Sequence, residues 1–529
     1  MNQKSDALEH ALARSYDVTP YAGNPYYHTH PSVLSAYGVL YGLSPATPGY
    51  SRVLELGCGD GSNIMPMAYE FPESEFLGID LSPVQIGIGQ KGVDALGLKN
   101  IQLKTLSIRN MSAADGRFDY IIAHGVYSWV PEAVRKKILS ICRENLSDQG
   151  IAYISYNVLP GWQFNQSIRD MILYRTRYIK DPKQRVEAAL DLFNTMLAGI
   201  ADGDSAHDVQ FRFFGKTLKS FPDVSGYLLH EYMEANNDPF YFHEFAGELK
   251  HHGLQYLCDA EQKDFELDVL PADTAAKFET ISENAIEVEQ YIDFLKNTHF
   301  RRSLVCHEGI ELDSTYCLER IHNLYTATDV VPVLDESERS VKKATAFRTP
   351  TGRRFSTQHI FAQVLLRLLS EIRPCTMSVS SLIETVAKET AFEREPDTQS
   401  QAEKIGHVVY ELFFNGVLEL LGAERRCVLD AGVLPKASLV SRLLAPHYRV
   451  TNLCHRTISM DDDMACFVLA NLDGTRNRDA LCDLMVEAIR TDQVLMPNLK
   501  ERNIDEIKVS MRDQLGAILQ QLLRCGVLI

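Results

Sequence analysis

Arg52-Val53-Leu54-Glu55-Leu56-Gly57-Cys58-Gly59-Asp60-Gly61-Ser62-Asn63-Ile64-Met65 joins a short apolar run to three alternating glycines and then to helix-compatible residues. The run predicts a strand, the glycines a tight turn and the remainder a helix. Glu75-Phe76-Leu77-Gly78-Ile79 supplies a second strand that ends in Asp80, and Ser82-Pro83 caps the next helix with proline in its first turn. Residues 100–104, 118–123 and 151–156 repeat the strand pattern, with helical segments between them. Strands alternating with helices at this spacing predict a parallel, doubly wound, Rossmann-like α/β sheet.

After Trp162 the alternation stops, and residues 163–200 show helical periodicity alone. A helix over 241–252, a strand over 253–258, a helix over 283–297 and a strand over 301–306 then resume the α/β pattern. This reading makes 163–240 an insertion and lets 241–307 supply the last two strands of the same sheet. Beyond it, two similar patterns follow one another. Helices over 359–369, 379–388 and 405–415 run into Gly416-Val417-Leu418-Glu419-Leu420. Helices over 463–472, 478–489 and 509–524 run into Gly526-Val527-Leu528-Ile529. Three helices closed by a Gly-Val-Leu strand, twice over, predict two winged-helix-like α+β units. The polar stretch 388–404 is expected to be an exposed loop.

The chain of 529 residues has 53 Lys+Arg against 70 Asp+Glu, a formal charge of −17. That balance argues against a protein that lives on phosphate backbones, so a nucleic-acid partner is not expected. The excess is local: between Asp223 and Asp293 stand 17 acids and 3 lysines, a net of −14. It would suit steering of a cationic substrate, and equally a solvated helical face. Eleven cysteines without a Cys-x-x-Cys pair fit reduced thiols, giving no sign of a disulfide framework or zinc site. No apolar run reaches the ~18–20 residues of a membrane span and the first residues lack a signal pattern, so a cytoplasmic location is expected.

The glycine turn distinguishes two ligands. A dinucleotide fingerprint wants a glycine where Ser62 stands. Glu55-x-Gly57-x-Gly59-x-Gly61 suits S-adenosylmethionine instead, with the ligand's amino-acid end across the turn and Glu55 offering negative charge toward its ammonium. Asp80 would accept the ribose hydroxyls. The loops after the fourth and fifth strands, His124–Pro131 and Tyr156–Trp162, fall on the same sheet edge as the turn. Tyr127, Trp129, Tyr156 and Trp162 are placed to wall a cation–π cage, or else to pack long loops. His124 reads as a packing or backbone-orienting residue before a general base.

These blocks resemble class I S-adenosylmethionine-dependent methyltransferases. More narrowly, the chain resembles the bacterial family with a methyltransferase regulatory domain, which includes rickettsial protein-lysine methyltransferases of outer-membrane protein. The resemblance extends to Tyr16-Asp17, Pro20-Tyr21, Asn24-Pro25 and Thr29-His30-Pro31, and to His230-Glu231-Tyr232-Met233-Glu234 with Asn237 and Tyr241-Phe242. It also covers Phe300-Arg301-Arg302-Ser303-Leu304 and Leu472-Asp473-Gly474-Thr475-Arg476. It implies an N-terminal cap (1–50), a methyltransferase core (51–162) and a helical insertion used for dimerisation (163–240). A regulatory region completing the sheet (241–307) and winged-helix-like units over 308–430 and 431–529 follow. By position, Glu55, Gly57, Gly59, Gly61, Asp80, Leu81 and Ser107 would bind the cofactor, with Tyr21 and Asn24 closing over it. Where many relatives carry an acidic residue after the third strand, this chain has Ser107-Ile108.

Methyl transfer needs alignment and desolvation, with no metal and no nucleophilic side chain. The expected chemistry is N-methylation of a protein lysine, with Tyr127, Trp129, His124 and Tyr156 as the candidate catalytic wall and Glu231 as a further proton relay. A small-molecule methyltransferase, and a cofactor-sensing winged-helix regulator, are the alternatives.

Overall fold

The computed structural model describes residues 23–200, 203–221, 223–261, 270–333, 345–390 and 398–529. Helix α1 (Pro31–Leu40) precedes the core, which runs β1 (Arg52–Leu56), α2 (Ile64–Glu70), β2 (Glu75–Asp80) and α3 (Pro83–Leu96). It continues through β3 (Ile101–Thr105), β4 (Phe118–Ala123), α4 (Glu132–Asn145) and β5 (Leu146–Asn157). Ser82 caps α3 as its sequence announces, its side chain accepting from the Gln85 N–H at 3.1 Å.

Three insertion helices come next: α5 (Trp162–Thr176), α6 (Pro182–Gly199) and α7 (Ala206–Ser220), before a π-turn over Leu228–Tyr232. Then α8 (Phe242–His251), β6 (Leu254–Asp259), α9 (Ala272–Ile281), α10 (Ala285–Lys296) and β7 (Phe300–His307) return the chain to the sheet. Strand order is β3-β2-β1-β4-β5-β7-β6. β1 to β5 are parallel, whereas β7 lies antiparallel between β5 and β6, pairing Tyr153 with Leu304 and Tyr256 with Val305. The doubly wound expectation therefore holds, with one reversed strand.

Each strand feeds both faces, because successive side chains alternate. Val53, Tyr120, Ile122, Ile151 and Tyr153 pack on one face with residues of α1, α2 and α3. Leu54, Ile121, Ile154 and Tyr156 pack on the other with α4 and α8. β7 is pinned to α10 by Arg301, whose Nε and Nη2 donate to the Asp293 carboxylate at 2.9 and 3.0 Å while Nη1 donates to Glu289 Oε2 at 2.7 Å. The guanidinium, fully buried, also lies 3.8 Å from the Phe242 ring centroid.

In the first C-terminal unit, β8 (Tyr325–Ala327) pairs with β9 (Met377–Ser378) and β10 (Glu419–Leu421) around α11 (Ile360–Glu371), α12 (Val379–Thr390) and α13 (Thr398–Phe414). α12 and α13 take up both ends of the stretch expected as a loop, and 391–397 lie outside the described residues. The second unit contains α14 (Leu439–Leu444), a hairpin of β11 (Arg449–Thr451) and β12 (Thr457–Ser459), then α15 (Asp463–Ala470), α16 (Arg478–Arg490) and α17 (Ile504–Arg524). Its terminal Gly-Val-Leu makes a single bridge, Leu528 to Ala437, instead of a full strand. No described helix is long and apolar enough to cross a membrane.

Candidate active site

β1 delivers Glu55 to the sheet edge, and the chain then turns through Gly57 and Gly59 at φ 73° and 55°. A Cβ on Gly57 would lie 2.6 Å from Val126 Cγ2, while one on Gly59 would meet nothing within 4 Å. The first glycine is thus required by packing as well as by its backbone. The second opens toward the cavity above the sheet. Asp80, ending β2, ties strand and turn together: Oδ2 accepts from the Gly59 N–H at 2.9 Å and Oδ1 from the Ser82 N–H at 2.8 Å. Burial raises its pKa, opposed by those backbone donors.

Glu55 is 4% exposed. Its Oε1 accepts from Asn63 Nδ2 at 2.7 Å, and its Oε2 is buried with no hydrogen-bond partner among the described residues. Burial, reinforced by Asp60 and Asp80, pushes this carboxyl up to about 8. An unsatisfied buried carboxylate oxygen beside a glycine turn is the environment an ammonium group would complete.

The cavity over the turn encloses about 800 Å³. Glu55, Gly57, Gly59, Asp80, Leu81, Ser107, Asn24, His124 and Trp129 all line it. Ser107 also caps the short turn after β3, its Oγ accepting from the Arg109 N–H at 3.3 Å. Gly61 stands behind the turn against Leu103 and Met65, off the cavity wall. Tyr21 lies outside the described residues.

Two expected wall residues are elsewhere. Tyr156 points to the opposite face of β5 from Tyr153, its ring tilted against Phe245 at 4.2 Å and its hydroxyl 3.0 Å from Ser303 Oγ. Asn157, one residue on, faces the cavity instead. Tyr127 packs among Phe240, Phe245 and Tyr156 in that same core. The aromatic cage is corrected accordingly: Trp129 and Trp162 stay on the wall, meeting edge to face at 6.3 Å, and Tyr232 stacks on Trp162 at 5.9 Å.

His124 is half-buried against the Tyr26 ring at 3.7 Å, with Nδ1 at 3.0 Å from the Tyr153 hydroxyl and 3.3 Å from Ser155 Oγ. Burial, helped by Arg302, lowers its pKa to about 3, so the imidazole stays neutral and is a poor base at physiological pH. The insertion supplies wall residues that sequence reasoning missed, among them Phe213, Phe214, Tyr227 and Tyr232. Glu231, on the π-turn, also lines the cavity, and burial pushes its carboxyl up to about 7. Among the described residues no cluster of His, Cys, Asp and Glu could hold a metal ion.

The methyltransferase domain family matches residues 53–150, the predicted methyltransferase regulatory domain 225–307, and the PKMT C-terminal winged helix domain 434–527. The chain is 30% identical over 509 residues to the Rickettsia prowazekii protein RP789, spanning 93% of this chain and 90% of that one. The structure of PKMT2 from Rickettsia typhi superposes with a TM-score of 0.83 at 27% identity, over 96% of this chain and 100% of that one. PKMT2 in complex with AdoHcy gives 0.84 at 26% identity, with the same coverage. Fold and comparisons together define an S-adenosylmethionine-dependent methyltransferase of class I. The chain belongs to the family that joins this domain to a methyltransferase regulatory domain and a PKMT winged-helix domain, the rickettsial PKMT type.

Proposed function

We propose that the protein N-methylates lysine side chains of a protein substrate, with the cofactor at the glycine turn and the acceptor among the insertion's aromatic residues. The observation that carries this reading is one cavity lined both by Glu55 and Asp80, from the glycine turn and the end of β2, and by Trp129, Trp162, Tyr232 and Glu231, from the loops and the insertion. The cofactor supplies a methyl group on a sulfonium, a carbon already activated toward an amine. Glu55 would meet the cofactor's ammonium through its buried Oε2, and Asp80 would accept from the ribose hydroxyls. Leu81, Leu106 and Ser107 would border the base.

A lysine ammonium, with reference pKa ≈ 10.4, must lose a proton before its nitrogen can attack. The aromatic wall suits the aliphatic stem and favours the neutral amine by excluding water. Glu231, held near 7 by burial, is matched to take that proton. The PKMT name of the Rickettsia typhi structure supports a protein acceptor. We further propose that two copies pair through the insertion, where Tyr174 and Tyr178 are exposed; light scattering reads this directly.

The test of the acceptor is transfer of isotopic methyl from labelled cofactor into fractionated bacterial lysate, followed by mass spectrometry. Label on lysine residues of protein is expected. Label confined to small molecules would assign a biosynthetic role to the same site.

A further inference from the structure

The cofactor turn has a neighbour from the far end of the chain. The β11–β12 hairpin turns through residues 452–456, where His455 adopts the left-handed conformation at φ 54°. The turn is built firmly: Asn452 Oδ1 accepts from the Cys454 and Arg456 N–H groups at 3.1 and 2.9 Å, and its Nδ2 donates to the Cys525 carbonyl at 2.9 Å. That presents His455 Nε2 to Asn63 Oδ1 at 2.9 Å, within a buried contact.

Asn63 can be oriented in one way only. Its Oδ1 accepts from the Tyr26 N–H at 2.9 Å, so the other end, Nδ2, is the donor to Glu55 Oε1 at 2.7 Å. His455 must then donate from Nε2. Burial keeps this imidazole neutral, which leaves it one N–H, committed to Asn63. The Thr29 hydroxyl, 3.1 Å from the same oxygen, can direct its hydrogen to the Tyr26 carbonyl at 2.8 Å instead. The hairpin strands make a second contact: Arg449 Nη2 and Thr457 Oγ1 donate to Asn24 Oδ1 at 2.7 and 3.2 Å, and Asn24 lines the cavity.

We propose that the C-terminal winged-helix unit completes the cofactor site, with His455 acting through Asn63 as a positioning residue for Glu55. The hairpin, which in a winged-helix unit is the wing, is here turned inward onto the methyltransferase core. The inference rests on the placement of the cofactor's ammonium at Glu55 proposed above.

The test is the dissociation constant of S-adenosylhomocysteine for the full chain, measured by calorimetry. H455A is expected to weaken binding about fivefold, the loss of one net hydrogen bond. H455Q, which can present an amide N–H near the position of Nε2, is expected to recover most of that loss. On an N63A background H455A should cost nothing further, because residues acting through one contact are not additive. Wild-type affinity in H455A, no rescue by glutamine, or full additivity with N63A would each overturn the proposal. Should H455A fail to fold, R449A reads the same quantity, with a fivefold loss expected and unchanged affinity contrary. E55Q separates the two layers. Weak binding in E55Q with normal binding in H455A overturns this inference alone, whereas normal binding in E55Q overturns the placement beneath it.

Discussion

Burial holds the Glu55 carboxyl near 8, so in the ligand-free site it keeps its proton at neutral pH. A ligand ammonium favours the ionised form, and below pH 8 binding must therefore displace that proton. Affinity should rise with pH from 6 toward 7.5, by up to about tenfold per unit. It should then level off as Glu55 ionises unaided and the ligand's own amine, reference pKa ≈ 7.7–8.0, begins to lose its charge. Calorimetric titration across this range should show the slope in the wild type and a weaker, flat response in E55Q. Glu231 makes a kinetic prediction of the same sign. As a base near 7 it must be ionised, so kcat should rise through pH 7. E231Q should lower kcat by about a hundredfold and remove that inflection; a full rate in E231Q would leave proton removal to solvent. Glu55 and Asp80 were legible in the sequence because a glycine turn and a strand-end carboxylate are local patterns. His455 and Asn63 were not, since nothing local to either residue names a partner 392 positions away.

Among the elements, β5 shows where pattern reading stops. Its residues from Gly150 to Asn157 are all buried, as expected of a strand covered on both faces, so hydropathy carries no phase. Tyr156 and Asn157 must face opposite ways, but the sequence does not say which of them faces the cavity, and the expected wall took Tyr156 and Tyr127 in place of Asn157. The insertion helices were foreseen as helices, but which of their stripes would face a cavity depends on packing that periodicity does not encode. β7 makes the strongest energetic prediction. Replacing Arg301 by Met leaves the buried Asp293 and the partly buried Glu289 without their counter-charge. Removing one partner of such a cluster typically costs about 3–5 kcal/mol. R301M should unfold at clearly lower denaturant than wild type, and an unchanged midpoint would show that the cluster carries no net stability.

On the scale of the whole molecule, the charge of −17 is concentrated in 223–293, and part of that local excess has partners outside the stretch. In the acidic stretch 223–293, Asp238 pairs with Arg135, Glu261 with Arg302, and Glu289 and Asp293 with Arg301. Asp259 is buried, accepting from the Glu261 and Arg302 N–H groups at 2.9 and 2.8 Å. Four of the 17 acids therefore serve as the counter-charge of arginines in neighbouring segments and Asp259 is withdrawn into the interior, with Asp273, Glu279 and Glu283 among those left exposed. Steering of a basic substrate should be correspondingly modest. We expect kcat/KM to fall by about threefold or less from low salt to 0.5 M, since screening acts on exposed charges. A fall of a hundredfold would show that the exposed acids dominate the encounter.

The position of β7 also has a consequence for how the chain is made. β5 is finished at residue 157, but the strand that covers its edge begins only at residue 300. At ribosomal rates of about 5–20 residues per second, that edge waits for roughly 7 to 30 seconds. During that interval the nascent core offers the unpaired edge of residues 152–157, the kind of edge on which chains aggregate. Chains halted before residue 300 should therefore accumulate as inclusion bodies or chaperone clients, while those released after residue 307 can close the sheet. Synthesis order makes the regulatory segment a guardian of the catalytic core before it has anything to regulate.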